Sequence, residues 1–449
     1  MFFENDKKFY YQLLRLTIPL FLQQLLRVSV DTLNSIMLGS IDQIQMSAMS
    51  QANQVFFIYF AICSGLSIGC CVLVSQYWGK KDIDSISTVM AHGLRTAFVF
   101  GLTVTILVYI FSNNIMHIYS SDMTIVETGT NYLRKICLMF VACGLSLMIF
   151  GQSRGVEQVK IVLFTNIISY SVNILLDYIL VFGKLGFRPM GIDGVAIGTI
   201  IARYIELLIC ALFFFNHVEI PFTIKDLKKS DDKIRKAYFD VSLPIVAHEV
   251  VWSLGSSSGA MITGQLGKSA VAGYNVTSVL YDLFATIGNG FISACGVVLG
   301  MSLGKGETEK AKRQANSILL IALIMGICIG IITYFVKDDF LKLYSLDNQA
   351  INYFRQFSNI LCFIWPFSCI EMVTMVAILR AGGDGKFGFY TDIVVMWLIC
   401  IPLAWLCAFK FNAPAWIIVG IIKTIIVLEA IAGLSRVFTY KWVKDLTHD

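Results

Sequence analysis

The stretch Leu16–Gly39, LTIPLFLQQLLRVSVDTLNSIMLG, is long enough to cross a bilayer as a helix, yet it carries Asp31 where hydrocarbon would surround a lipid-facing residue. A carboxylate at that depth is costly unless it faces protein or water, so it marks an ion or proton site. The pattern recurs half a chain later. Pro19 and Gly39 are matched by Pro244 and Gly264, and the second copy, SLPIVAHEVVWSLGSSSGAMITG from Ser242, places Glu249 in its own apolar interior. A repeated unit with an acid in each copy predicts a duplicated architecture.

The whole chain shares this character. At 449 residues, 57% apolar and 14% charged, with a mean hydropathy of +0.72, it cannot present a water-soluble surface. Breaks at polar and turn-forming residues leave twelve continuously apolar segments, near 16–38, 54–76, 89–111, 133–151, 161–183, 194–216, 241–263, 274–299, 315–336, 356–379, 388–409 and 414–436. Unbroken runs of this length predict helices and exclude a membrane barrel, whose strands alternate in polarity. The expected fold is therefore an all-α polytopic membrane protein with twelve transmembrane helices in two parallel-repeat six-helix lobes.

Lys and Arg concentrate on one side of this arrangement, at Lys7, Lys8, Arg15, Lys80, Lys81, Arg154, Lys160, the 225–236 segment, Lys305 to Arg313, Arg380, Lys386, Arg436, Lys441 and Lys444. The positive-inside rule then places both termini in the cytoplasm, with the plasma membrane as the expected location. MFFENDKKFYYQLLRL lacks a cleavage pattern and reads as the approach to a retained first span. The charged segment 217–240 reads as a cytoplasmic linker between an N-terminal lobe, 1–216, and a C-terminal lobe, 241–449; it is either a plain tether or a short interfacial helix. Further correspondences between the halves, such as Gly79-Lys80 with Gly304-Lys305 and RGVEQVK (154–160) with RAGGDGK (380–386), support the duplication. Six spans per copy give parallel repeats, the symmetry that alternating access uses. Pro19 and Pro244 are expected near helix starts, where a missing N–H costs little.

The twelve cysteines lie scattered in apolar runs without metal or disulfide spacing. A net charge of +5 without a clustered basic face gives no nucleic-acid partner. Neither a P-loop nor HExxH occurs, so ATP drive and zinc hydrolysis have no residues to carry them, and an enzyme is not expected. RAGGDGK reads as a tight cytoplasmic turn.

Intramembrane polar residues carry what remains. Asn173 and Asp177, four apart, share one face of the fifth span. With Asp31 they form a carboxylate-amide set suited to a proton or to a hard cation such as Na+; the competing reading pairs Asp31 with Arg27. Glu249 and Glu371 in the seventh and tenth spans, with aromatics including Trp252 and Tyr281 nearby along the chain, suit an organic cation. Arg203 and Glu206 are expected to pair, and Arg95 with His92 to reach toward headgroups.

These residues, in this order and spacing, resemble the multidrug and toxic compound extrusion (MATE) transporters. The carriers are Asp31-Thr32 with Met37-Leu38-Gly39, Asn173 to Gly183, Pro244 to Glu249, and LRAGGDGK from Leu379. The resemblance implies an antiporter exporting amphipathic, often cationic compounds in exchange for H+ or Na+. It implies an N-lobe ion site at Asp31, Asn173 and Asp177, joined by Thr199, and coupling or drug-binding roles for Glu249 and Glu371. No cofactor beyond the coupling ion is implied; membrane lipids and a small organic cation are the expected partners of a monomer. The alternatives held open are a flippase for lipid-linked precursors, which would need basic residues in its cleft, and a non-transporting receptor or scaffold, which leaves the duplicated acids without a role.

Overall fold

The computed structural model describes residues 3–39, 43–120, 122–216, 222–344 and 346–447; the side chains of residues 31, 32, 34–36, 38, 39 and 43 lie outside the described set. Backbone in hydrocarbon must satisfy its hydrogen bonds within its own segment, and helices accordingly make up every long element. In order they are α1 (Lys7–Gly39), α2 (Gln43–Lys80), α3 (Ile83–Tyr119), α4 (Met123–Ile136), α5 (Phe140–Gly155), α6 (Val159–Phe182), α7 (Ile192–Asn216), α8 (Asp232–Gly264), α9 (Lys268–Gly304), α10 (Thr308–Leu341), α11 (Asn348–Glu371), α12 (Leu379–Ala381), α13 (Gly385–Asp392), α14 (Ile401–Phe409) and α15 (Ala415–Phe438). A 3₁₀ turn, Cys137–Met139, joins α4 to α5. Wider π-helical turns, Met372–Ile378 and Ile393–Cys400, join α11 to α12 and α13 to α14. The protein is thus an all-α polytopic membrane protein, and each of the twelve apolar segments falls within a helical rod. Eleven rods among the described residues are long and apolar enough to span. The remaining one, α8, is made more polar by Asp240, His248, Glu249 and the serine run 256–258.

Helix ends follow local chemistry. Asp82, Asp122 and Asp347 cap α3, α4 and α11 by accepting from the backbone N–H of Ser85, Thr124 and Ala350. Gly183 closes α6 in the left-handed conformation, at φ 67°. The two repeat prolines do not sit in first turns. Pro19 lies well inside α1, which begins at Lys7, and Pro244 equally far inside α8, which begins at Asp232. Each helix extends upstream of its apolar span through a charged approach, so each proline removes an intrahelical hydrogen bond.

Two compact units result, one of Leu22–Val246 and the other of Met1–Phe21 with Ala247–Asp449. The chain passes between them inside α1 and inside α8, just beyond Pro19 and Pro244, rather than in the 217–240 segment. That segment is itself structured where described. Thr223 and Asp226 cap each other around a 3₁₀ turn at Ile224–Lys228, Lys229 reaches Asp84 at 3.2 Å, and α8 begins already at Asp232. Arg95 donates to the Lys229 carbonyl at 2.7 Å; a fixed backbone acceptor within reach takes the place of the headgroup expected for it.

In the first unit, Tyr59 stacks on Phe140 and Phe100, with centroids 4.5 and 5.7 Å away, inside a core of Met49, Val108, Leu133 and Ile136. Its hydroxyl donates to the Phe140 carbonyl, which removes the cost of burying it. Lipid offers apolar side chains no gain on association, so close backbone approach matters more than hydrophobicity. A Cβ on Gly69 of α2 would lie 2.7 Å from the Ser242 Cα of α8, closer than any side chain fits. In the second unit Trp365 stacks on Tyr281 at 4.9 Å and meets the edge of Phe284. Asp384 of the RAGGDGK turn takes two hydrogen bonds from Arg436, at 2.7 and 3.2 Å, and Gly383 turns the chain at φ 71°.

Candidate functional site

The first polar cluster lies between α6 and α7. Asn173 and Asp177 are one helical turn apart, and both are buried, at 5% and 0% exposure. Asn173 Nδ2 donates to Asp177 Oδ2 at 2.9 Å and to Thr199 Oγ1 at 3.3 Å. α7 meets this face through Gly198, where a Cβ would lie 2.0 Å from Asp177 Oδ1. Glycine there is what lets the carboxylate sit against the neighbouring backbone. Asn173, Asp177 and Thr199 therefore converge, while the side chain of Asp31 lies outside the described residues. The amide presents its nitrogen, not its carbonyl, to Asp177; a half-turn of that amide is needed before the carbonyl can face a cation. The alternative partner of Asp31, Arg27, donates to Gln24 Oε1 at 3.3 Å and lies over the Phe60 ring. Beside this cluster Arg203 and Glu206 pair at 2.8 Å, with Ser169 donating to the same carboxylate at 3.3 Å.

The second cluster, in the C-terminal unit, is larger than the two acids read from sequence. Arg380 is not a surface turn residue: it is 2% exposed and reaches inward to Glu249 Oε1 at 2.8 Å and to His248 Nδ1 at 2.9 Å. His248 Nε2 in turn faces Asp392 Oδ2 at 3.6 Å. Asp392 and Glu429 are both buried, and Glu371 stands within electrostatic reach of each. Glu371 immediately precedes one π segment and Asp392 the other. Such turns widen the helix locally and commonly mark functional positions. The two aromatics divide. Tyr281 joins the cluster's neighbourhood, its hydroxyl 3.2 Å from Ser368 Oγ and its ring face covered by Lys423 Nζ at 4.6 Å. Trp252 is 44% exposed and is no part of this buried set. An internal lysine thus already occupies the ring face that a substrate cation would use.

The sequence reading missed Arg380, His248, Asp392 and Glu429. Glu429 had a usable signal: it is a single acid in the apolar run IIVLEAIAG, the same criterion that singled out Asp31. No group of three or more His, Cys, Asp or Glu arranged to hold a metal ion occurs among the described residues.

Long apolar helices that carry buried carboxylates define a multi-pass membrane protein. The MatE family model matches the chain twice, over 19–179 and 244–406, and the chain belongs to that family. The two matches begin at Pro19 and Pro244, the residues that open the repeat. A probable multidrug resistance protein NorM of Photorhabdus laumondii is 26% identical over 406 residues, covering 88% of this chain and 87% of the relative. A NorM of Thermotoga maritima, described in the same words, is 23% identical over 437 residues, covering 96% and 93%. The fold is that of a MATE protein solved in its straight conformation, with a TM-score of 0.87, 18% identity and 96% of both chains covered. It is equally that of a MOP superfamily transporter from Pyrococcus furiosus, with a TM-score of 0.85 and 19% identity over 96% of each chain.

Proposed function

We propose that this protein is an antiporter that exports amphipathic organic cations across the plasma membrane by alternating access, driven by inward movement of H+ or Na+, with both termini cytoplasmic and one chain as the working unit. The observation that carries the reading is the buried Asn173–Asp177–Thr199 constellation. A buried carboxylate, an amide and a hydroxyl brought together are a donor set that suits a proton or a hard cation. The coupling ion is assigned to this set, with Asp31 as the further ligand from α1. Names of the relatives that refer to multidrug resistance support export of organic compounds. Ion and substrate need no shared contact, because each biases the same conformational equilibrium. The precursor-flippase reading is weaker: Arg380 and Arg203 are each answered by a carboxylate, so neither stands ready for a diphosphate.

Purified protein in vesicles with separately imposed pH and Na+ gradients tests this. Uphill movement of a lipophilic cation under at least one gradient is expected, and its loss in Asp177→Asn with normal membrane abundance. Wild-type export rates in both Asp177→Asn and Asp31→Asn refute the assignment of the ion to this cluster.

A further inference from the structure

At the end of the C-terminal unit where α10 closes and α11 and α15 begin, opposite the RAGGDGK turn, a basic side chain is buried without an acid. Lys337, one turn before the end of α10, is 6% exposed. Its ammonium donates to the side-chain oxygen of Asn359 on α11 and stands over the Tyr334 ring, 4.4 Å from the centroid. The neighbouring acids Asp338 and Asp339 are taken by Arg355 at 2.9 Å and Lys342 at 2.6 Å, and no carboxylate pairs with Lys337 among the described residues.

A groove of about 360 Å³ opens beside this contact, lined by Gln356, Asn359 and Ile360 of α11 and by Trp416 of α15. Its polar lining presents donors. An ammonium only donates, so Asn359 turns its oxygen to Lys337 and its NH2 away from it. Gln356 makes no hydrogen bond among the described residues and its Oε1 is buried, which leaves Nε2 as the outward atom. The Trp416 indole N–H likewise has no partner among the described residues, and the residue is 49% exposed. Unanswered donors beside a buried cation, with no acid in the lining, are the chemistry of an oxyanion site.

The groove continues along one helical face. Gln356, Asn359, Ile360, Phe363 and Phe367 recur at helical spacing on α11. Phe363 is 70% exposed, and its ring centroid lies 5.6 Å from that of Phe367. Across the seam Gly420, one turn beyond Trp416, has only Ile360 Cδ1 near it, 4.0 Å from where a Cβ would lie, so α15 leaves this stripe uncovered. Donors near the helix ends, followed by exposed rings toward the helix middle, fit a molecule with an oxyanion head and an apolar tail at the depth of a membrane interface. The lining offers no carboxylate to the ammonium of a zwitterionic head, whereas a head of net negative charge answers Lys337.

We infer that this groove binds an anionic phospholipid, its phosphate oxygens taken by Asn359, Gln356 and Trp416 with Lys337 supplying the charge behind them, and an acyl chain lying along Phe363 and Phe367. The lipid joins α11 to α15 and adds its binding free energy to the stability of the C-terminal unit. This holds whichever ion or substrate the protein moves.

Native mass spectrometry of the full-length protein, delipidated and then titrated with one lipid at a time, tests the site, with thermal unfolding in the same detergent as a second readout. Phosphatidylglycerol should stay bound and raise the melting temperature; phosphatidylcholine and phosphatidylethanolamine should do both far more weakly. Lys337→Met should weaken phosphatidylglycerol binding about tenfold, the loss expected when a hydrogen-bonding site gives up its charge, and Lys337→Arg should keep most of it. Where Lys337→Met fails to accumulate, the pair Gln356→Leu with Asn359→Leu, at the open groove, should show the same loss. A purely structural lysine would lower the melting temperature of Lys337→Met and leave its rise with phosphatidylglycerol intact, which overturns the site, as does unchanged affinity in the paired variant. Equal retention of the three lipids overturns the choice of an anionic head. Displacement of phosphatidylglycerol by an equimolar amount of inorganic phosphate makes the groove a site for the free anion and overturns the lipid.

Discussion

Arg380→Met is the most informative single perturbation of the C-terminal unit. The guanidinium is buried and holds Glu249 at 2.8 Å and His248 at 2.9 Å. Removing one partner from a buried ion pair typically costs about 3–5 kcal/mol, because the other charge stays buried and unanswered. The Glu249 side chain retains 24% exposure and can recover some solvation, which places the expected loss near the lower end, about 3 kcal/mol. For a unit of this size that corresponds to a fall in melting temperature on the order of 5–10 °C. Methionine fills much of the volume left by the arginine stem, so little of the loss should come from a cavity. The assay is thermal unfolding of the purified protein in one detergent, followed for wild type, Arg380→Met, Glu249→Gln and the double variant. The double variant removes both charges and should regain more than half of the single variant's loss, the remainder being roughly 1 kcal/mol for the His248 nitrogen left without its donor. A melting temperature for Arg380→Met within a degree of wild type, or a double variant no better than the single, refutes the claim that this pair is buried and coupled.

Three further outcomes follow from other places in the structure. Gly69→Val should lower stability by about 1–3 kcal/mol through overpacking against Ser242, whereas Gly296→Ala, with nothing within 4 Å of the added Cβ, should be neutral or slightly stabilising in the same melt. Gly198→Ala should spare abundance less than it spares α7 itself: the added methyl collides with Asp177 Oδ1, so ion-driven export in vesicles should fall well below its wild-type rate even in the membrane fraction that folds. The Asp226 carboxyl is held below the usual carboxylate range, first by the Thr223 backbone N–H and then by the Thr223 hydroxyl. A depressed value means that its contribution is present at neutral pH and lost as pH falls through the lowered value. Hydrogen exchange at Thr223 and Asp226 should therefore be protected at neutral pH and lose protection at the acid end, and Asp226→Asn should reduce the protection already at neutral pH.

How far the sequence carries depends on whether a feature is local. Span count, helical type and duplication are written in runs of twenty or so residues, and the repeat openings at Pro19 and Pro244 are visible by inspection because a membrane span forces apolarity everywhere else. The position of those prolines within their helices is not visible in the same way. A hydropathy reading ends a helix where the apolar run ends, but α1 and α8 continue through charged residues at 7–15 and 232–240, where water satisfies the side chains and the backbone still prefers its own hydrogen bonds. The chain likewise changes compact unit inside α1 and α8, a feature that no apolar run marks.

Site residues divide along the same line. Asn173 and Asp177 are readable because they stand four apart on one helix, and helical geometry alone then aligns them. Arg380 is not, since its neighbours His248 and Glu249 belong to a helix more than a hundred residues away and its own surroundings, RAGGDGK, carry every sign of a solvated turn. The turn is real: Gly383 supplies the positive φ, and Asp384 pairs with Arg436. Yet a helix arriving at a glycine turn ends with its last side chains still pointing back along its own face, because Cβ bonds tilt toward the N-terminus. A long side chain in the last turn before the glycines is thereby returned toward the bundle, and arginine, with donors at the end of a flexible stem, reaches acids that a shorter residue could not. The basic residue just before such a turn is therefore better counted with the buried acids of its own bundle than with the loop charges, and it is this transfer of Arg380 that gives Glu249 a partner and turns the Nε2 side of His248 toward Asp392.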